Sequence, residues 1–139
     1  MESTMMQVQM KTAVLLLAIA GLLSGCTTLS EMARHKQEKP DVVIRPRGVY
    51  EECVPINPPQ VIDYSFSTSK PVEFNIHYHG DEVVYPVKGQ AVETWQGTFD
   101  PTCIRSYSTE QPPFFCLMWT NPQEEAVGLN FEFTIRDKE

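Results

Sequence analysis

The chain has 139 residues, with 18 acidic side chains against 11 Lys and Arg, and a formal net charge of −7 at neutral pH. An acidic chain without a Lys/Arg cluster argues against nucleic acid as a partner and against an electrostatic grip on anionic lipid. The length past the N-terminal region suits one small domain, which a disulfide would help to stabilise.

The chain opens on a targeting pattern. Lys11, an uncharged run from 12 to 25 made mostly of Ala, Leu and Ile, and small residues before Cys26 have the layout of a secretory signal. The run is shorter than the roughly 18 to 20 residues that span a bilayer as a helix, which favours a cleaved signal over a permanent anchor. "LSGC", residues 23–26, resembles the lipobox of bacterial lipoproteins. That resemblance implies lipid on the Cys26 sulfur and removal of residues 1–25, a loss of one acid (Glu2) and one base (Lys11) that leaves the net charge unchanged. Glu2 stands where such signals are usually cationic, so translation from Met1 and from Met10 both stay open. Thr27, rather than Asp, follows the cysteine. By the same resemblance this points to the periplasmic face of the outer membrane, with the membrane contacted through the N-terminal lipid.

Residues 26–41 carry the lipidated cysteine and then "TTLSEMARHKQEKPD", polar, mixed in charge and closed by Pro40, which reads as a flexible tether. His35 is a solvated residue of that tether. Residues 42–139 are the folded domain.

In the domain, "VIDYSFS" alternates with Ile62, Tyr64 and Phe66 on one face, and "PVEFNIHYHG" alternates with Val72, Phe74, Ile76 and Tyr78 together. Each buries one face. Trp95, in "VETWQGTF", is read as core packing, with an exposed binding anchor as the other reading. "FFCLMWT" is apolar on both faces, as a central strand covered on each side would be, and "GLNFEFTIR" returns to alternation. Prolines fall mostly between these runs, and "HGDE" and "TNPQEE" are turn chemistry. The expected fold is all-β, a small antiparallel sandwich of jelly-roll-like character.

"EEC" at 51–53, "VEFNIHYHGDEV", "GTF" at 97–99 and "FFCLMWTN" at 114–121 resemble, in that order, the segments of a GOLD (Golgi-dynamics) domain. "FNIHYH" with "CLMWTN" is similar to a group of exported bacterial proteins with GOLD-like sandwiches, which brings no activity with it. The coiled-coil and membrane-spanning parts of the eukaryotic cargo adaptors have no counterpart in this sequence, so vesicle transport does not carry over. In the GOLD family an early cysteine pairs with one in the late aromatic strand, which implies Cys53 with Cys116 and leaves Cys103 over. Locality alone favours Cys103 with Cys116, and both pairings stay open at this level. The longer loop would stabilise by roughly 4 kcal/mol on the chain-entropy model.

Catalysis finds little support. The only domain histidines, His77 and His79, have no nucleophile motif near them, Cys103 lacks a local signature of an activated thiol, and no glycine-rich phosphate loop is present. Glu73, Asp81, Glu82 and Glu132 read as solvated strand and turn residues, so the chain is expected not to be an enzyme.

His77 and His79 share the polar face of their strand with Glu73 and Asn75. Their Cα atoms are roughly 6 to 7 Å apart, close enough for two imidazoles to converge on one ion. A third ligand could be Glu132, Glu73 or Met118; a thioether would suit copper and a carboxylate zinc. The competing reading is an ordinary wet face. The expected function is a lipid-anchored periplasmic binding module, non-enzymatic, presenting contacts to an envelope protein or small ligand. The alternatives are a metal-binding, copper- or zinc-handling lipoprotein that uses His77 and His79, and a structural envelope component.

Overall fold

The computed structural model describes residues 36–80, 82–104 and 114–139. The signal segment, Cys26, His35 and Asp81 therefore lie outside the described residues. Among the described residues six strands follow in order: β1 (Gln37–Ile44), β2 (Val49–Pro55), β3 (Gln60–His79), β4 (Val83–Phe99), β5 (Phe114–Thr120) and β6 (Val127–Asp137), with a 3-10 turn at Pro101–Cys103. Every pairing is antiparallel, in the order β1-β6-β3-β5-β2, and β4 lies along β3.

The two runs read as separate strands, around Tyr64 and around Ile76, belong to one 20-residue strand that bends. Eight extended residues span roughly 26 Å, yet the rings of Phe66 and Phe74 are 4.7 Å apart. β3 therefore folds back between them. Pro71 sits in the bend, where the ladder to β4 is interrupted between Ser67 and Val72, so its missing N–H leaves no partner wanting there. β4 bends with it, Ala91 taking a left-handed φ of 53° beside the Val72–Val92 pair.

The bend makes a β-sandwich out of one sheet. The first half of β3 pairs with β6, from Gln60–Asp137 to Thr68–Leu129, and the second half with β5, from Glu73–Thr120 to Tyr78–Phe115. β1 extends the first layer and β2 the second. Between the layers, Trp119 packs on Phe131 (4.7 Å), Phe74 (5.3 Å) and Phe66 (5.6 Å), and Phe99 on Phe115 (5.1 Å). Trp95 is half-buried against this core, 6.0 Å from Phe74.

Two expectations change in detail. The domain begins earlier than residue 42, because Gln37 to Lys39, read as tether, pair with Phe133 to Phe131 at the sheet edge. An edge strand tolerates Pro40, and at the irregularity that follows, Asp41 turns to φ 57° and donates its N–H to Asn130 Oδ1 at 2.9 Å. β5 is central, between β3 and β2, but only Phe115, Leu117 and Trp119 face the core. Its other side carries Cys116, half-buried Met118 and Phe114, which is 54% exposed, and among the described residues no second layer covers it.

The turn between β5 and β6 is organised by Asn121, fully buried. Its Nδ2 donates to the carbonyls of Glu125 (2.8 Å), Arg45 (3.0 Å) and Ile44 (3.3 Å), and its Oδ1 accepts from the N–H of Gln123 (2.8 Å). One side chain thus ties the β1–β2 connection to the β5–β6 turn. Asn121→Ala removes from a fully buried position the side chain that bridges these carbonyls and the Gln123 N–H, so we expect a loss of about 2 to 4 kcal/mol. Urea unfolding checks this; a midpoint unchanged from wild type would contradict it.

Candidate metal centre

Alternation along β3 sends Phe74, Ile76 and Tyr78 into the core and Asn75, His77 and His79 to the outer face. His77 is nevertheless only 3% exposed. Two local features enclose it. On one side its register partner is Cys116 of β5, whose own partner on β2 is Cys53, so the three residues form one row across the sheet. On the other side β4 carries a bulge: Ile76 faces Val87 and Tyr78 faces Val84, so Tyr85 and Pro86 together oppose His77. The Tyr85 ring comes to 5.4 Å from the imidazole.

Cys53 and Cys116 form a disulfide, with Cα atoms 4.0 Å apart. The pairing implied by the GOLD resemblance is the one present. Cys103 is free and exposed on the 3-10 turn. Partial burial, with Asp100 second, pushes its thiol pKa up, which works against the thiolate that a nucleophile needs.

Above the Cys53–Cys116–His77 row, ligand atoms of Glu51, His77, His79 and Cys116 all lie within 4.8 Å of one another. Nε2 of His77 is 3.0 Å from Nε2 of His79 and 3.1 Å from Oε1 of Glu51. Around a tetrahedral ion with bonds of about 2.0 to 2.2 Å, neighbouring ligand atoms are separated by roughly 3.3 to 3.6 Å. The observed spacing is a few tenths of an ångström short of that. Cys116 contributes a sulfur already bonded to Cys53, which is not a thiolate, so the donor set of the oxidised protein is Glu51, His77 and His79.

The other nitrogen of His77 is also engaged. Nδ1 is 2.8 Å from Oδ1 of Asn75, two residues back on the same face. An amide oxygen only accepts, so Nδ1 carries the hydrogen and Nε2 presents its lone pair to Glu51 and His79. A proton on Nε2 would suit the carboxylate, but burial opposes the charged ring and, with His79 adding to it, outweighs Glu51: the His77 pKa is lowered. A neutral imidazole lone pair, a second imidazole and a carboxylate are therefore brought together, a donor set that a metal ion would stabilise. Holding one imidazole nitrogen with an outer hydrogen bond is how metal-binding histidines are commonly oriented.

Of the proposed third ligands, Glu73 is exposed on the same face opposite Thr120. Glu132 belongs to the other layer, where it pairs with Lys36 at 2.6 Å. Met118 sits one row along, between Glu51 and Asn75. The carboxylate brought to the histidines is Glu51, which sequence reasoning did not single out as a ligand. Its only sequence signal was its place two residues before Cys53: pairing Cys53 with Cys116 brings β2 beside β5, but the β3–β5 register that sets His77 opposite Cys116 has no local signature.

No family model matches this chain, and no curated protein matches it. A solution NMR structure of a de novo designed double-stranded β-helix is similar at a TM-score of 0.35, with 13% identity over 73% of this chain and 99% of that one. That likeness is too distant to bear on function.

The tautomer is open to direct test. Long-range 1H–15N correlation spectra of the metal-free protein at neutral pH should show His77 with hydrogen on Nδ1 and an unprotonated Nε2. In Asn75→Ala the two tautomers should mix. A wild-type His77 with its hydrogen on Nε2 would contradict the assigned geometry.

Proposed function

We propose that this chain is a lipid-anchored envelope protein whose β-sandwich is a non-enzymatic binding module for a divalent metal ion, zinc by its donor set. The observation that carries this reading is the convergence of Glu51, His77 and His79 through one buried nitrogen. It favours a metal ion over an unspecified protein or small ligand, and over a purely structural role. Two imidazoles with one carboxylate are a zinc-type set, whereas copper(I) prefers sulfur donors. Three protein ligands leave a fourth position for water or for a group on a partner. The address rests on the secretory pattern and the lipobox-like "LSGC", and the Cys53–Cys116 disulfide suits the oxidising compartment that such a signal leads to.

Calorimetric titration of the oxidised protein with Zn(II) should give one equivalent bound. His77→Ala, His79→Ala and Glu51→Gln should each lose most of the affinity, and the double histidine variant little more, because residues acting as one chelate are not additive. Glu73→Ala and Glu132→Ala should bind as wild type. At a free zinc concentration 100 times the Kd, the unfolding free energy should rise by about 2.7 kcal/mol, a gain that a chelator removes. Full binding by the double histidine variant would place the site elsewhere.

The anchor is tested separately by metabolic labelling with a fatty acid. Wild type should take up label and Cys26→Ser should not; equal label in both would refute lipidation at Cys26.

A further inference from the structure

The fourth member of the cluster is the sulfur of Cys116. It lies within 4.8 Å of the ligand atoms of Glu51, His77 and His79, on a residue 3% exposed, and it is bonded to the sulfur of Cys53, an exposed residue. The bridge thus joins one cysteine inside the candidate site to one at the surface. Resting on the metal-site reading above, we propose that the Cys53–Cys116 disulfide is a redox gate on the metal centre: its reduction releases Cys116 as a fourth ligand and converts a weak three-ligand site into a tight four-ligand one.

The geometry gives the step a direction. A thiolate of a dithiol reductant reaches Cys53, the exposed residue of the pair, more readily than the buried Cys116. Attack there forms a mixed disulfide with Cys53, breaks the Cys53–Cys116 bond and expels Cys116 as a thiolate beside Glu51, His77 and His79. The reductant's second thiol then attacks its own sulfur of the mixed disulfide, closes a cyclic disulfide and frees Cys53. The dithiol gives up two electrons and two protons. One proton ends on the Cys53 thiol; the other goes to solvent, because Cys116 stays a thiolate on the metal.

A thiolate at a buried position is costly on its own and is stabilised by a bound cation. Metal and reduction therefore favour each other: an ion that prefers the reduced site must by linkage stabilise the reduced cysteines to the same degree. The Cys116 backbone need not travel, since β5 is held between β2 and β3 by its ladders. Only the sulfur has to turn from Cys53 to the ion.

Cobalt(II) tests this, because a thiolate ligand gives it a sulfur-to-metal charge-transfer band that imidazole and carboxylate do not. The full-length chain carrying Cys26→Ser and Cys103→Ser, purified in detergent, leaves Cys53 and Cys116 as the only cysteines. Reduction with a phosphine, which adds no thiol, should tighten Co(II) binding at least tenfold and bring up the band. Adding Cys53→Ser should give both without reductant, and adding Cys116→Ser should give neither. The reduced parent chain keeps the test decisive if either of these variants fails to fold. Binding by the oxidised protein with no gain and no band on reduction would overturn the gate and leave the metal site standing. Binding by the reduced protein alone would support the gate and overturn the three-ligand reading. No binding in either state would overturn both, and a band that survives Cys116→Ser would overturn the gate by assigning the thiolate to Cys53.

Discussion

The fold depends on β3 turning back on itself so that Phe66 packs against Phe74. A single strand then serves both layers, with β6 along its first half and β5 along its second, and the core is what lies between the halves. Were β3 straight, Trp119 could not touch Phe66 and Phe131 from one side while β5 pairs beside Phe74. The bend is permitted where the ladder to β4 lapses, at Pro71 and opposite the left-handed Ala91. It is driven by the aromatic surface that closing the layers removes from water.

The same constraint sets the chemistry of the outer face. Once the second half of β3 lies beside β5, and β5 beside β2, the polar side of "NIHYH" stands in one field with Cys116, Cys53 and Glu51. Glu51 and His77 sit on strands roughly 10 Å apart across the sheet, yet their side chains meet over β5, at a row where β5 offers a cysteine rather than a larger residue. The β4 bulge closes the other flank with Tyr85. His77 is thus buried on a face that strand alternation alone would make wet, and this burial keeps the imidazole neutral and its lone pair available.

Structure and chemistry share one element in the Cys53–Cys116 bridge. It ties an edge strand to a central one by a covalent link 63 residues apart in sequence, and it holds one of its sulfurs, that of Cys116, within the candidate site. Asn121 plays the tying role at the other end of β5 by hydrogen bonds alone.

What the sequence by itself determined was everything that depends on short-range pattern. Period-two alternation around Tyr64, Ile76 and Phe131 marked the strands and their inward faces, the turn residues of "HGDE" and "TNPQEE" marked two connections, and the pair His77 and His79 was legible because residues two apart on a strand share a face. β1 and much of β4 were less legible, because edge and outer strands bury little and carry polar residues. The tertiary structure decided what depends on register between distant segments: that two apparent strands are one bent strand, that Cys116 lies between Cys53 and His77, and that the carboxylate beside the histidines is Glu51 rather than Glu73 or Glu132. Register is set by packing across the whole sandwich, and a shift of one residue would turn every side chain of a strand to its other face, so no local stretch of the chain contains it.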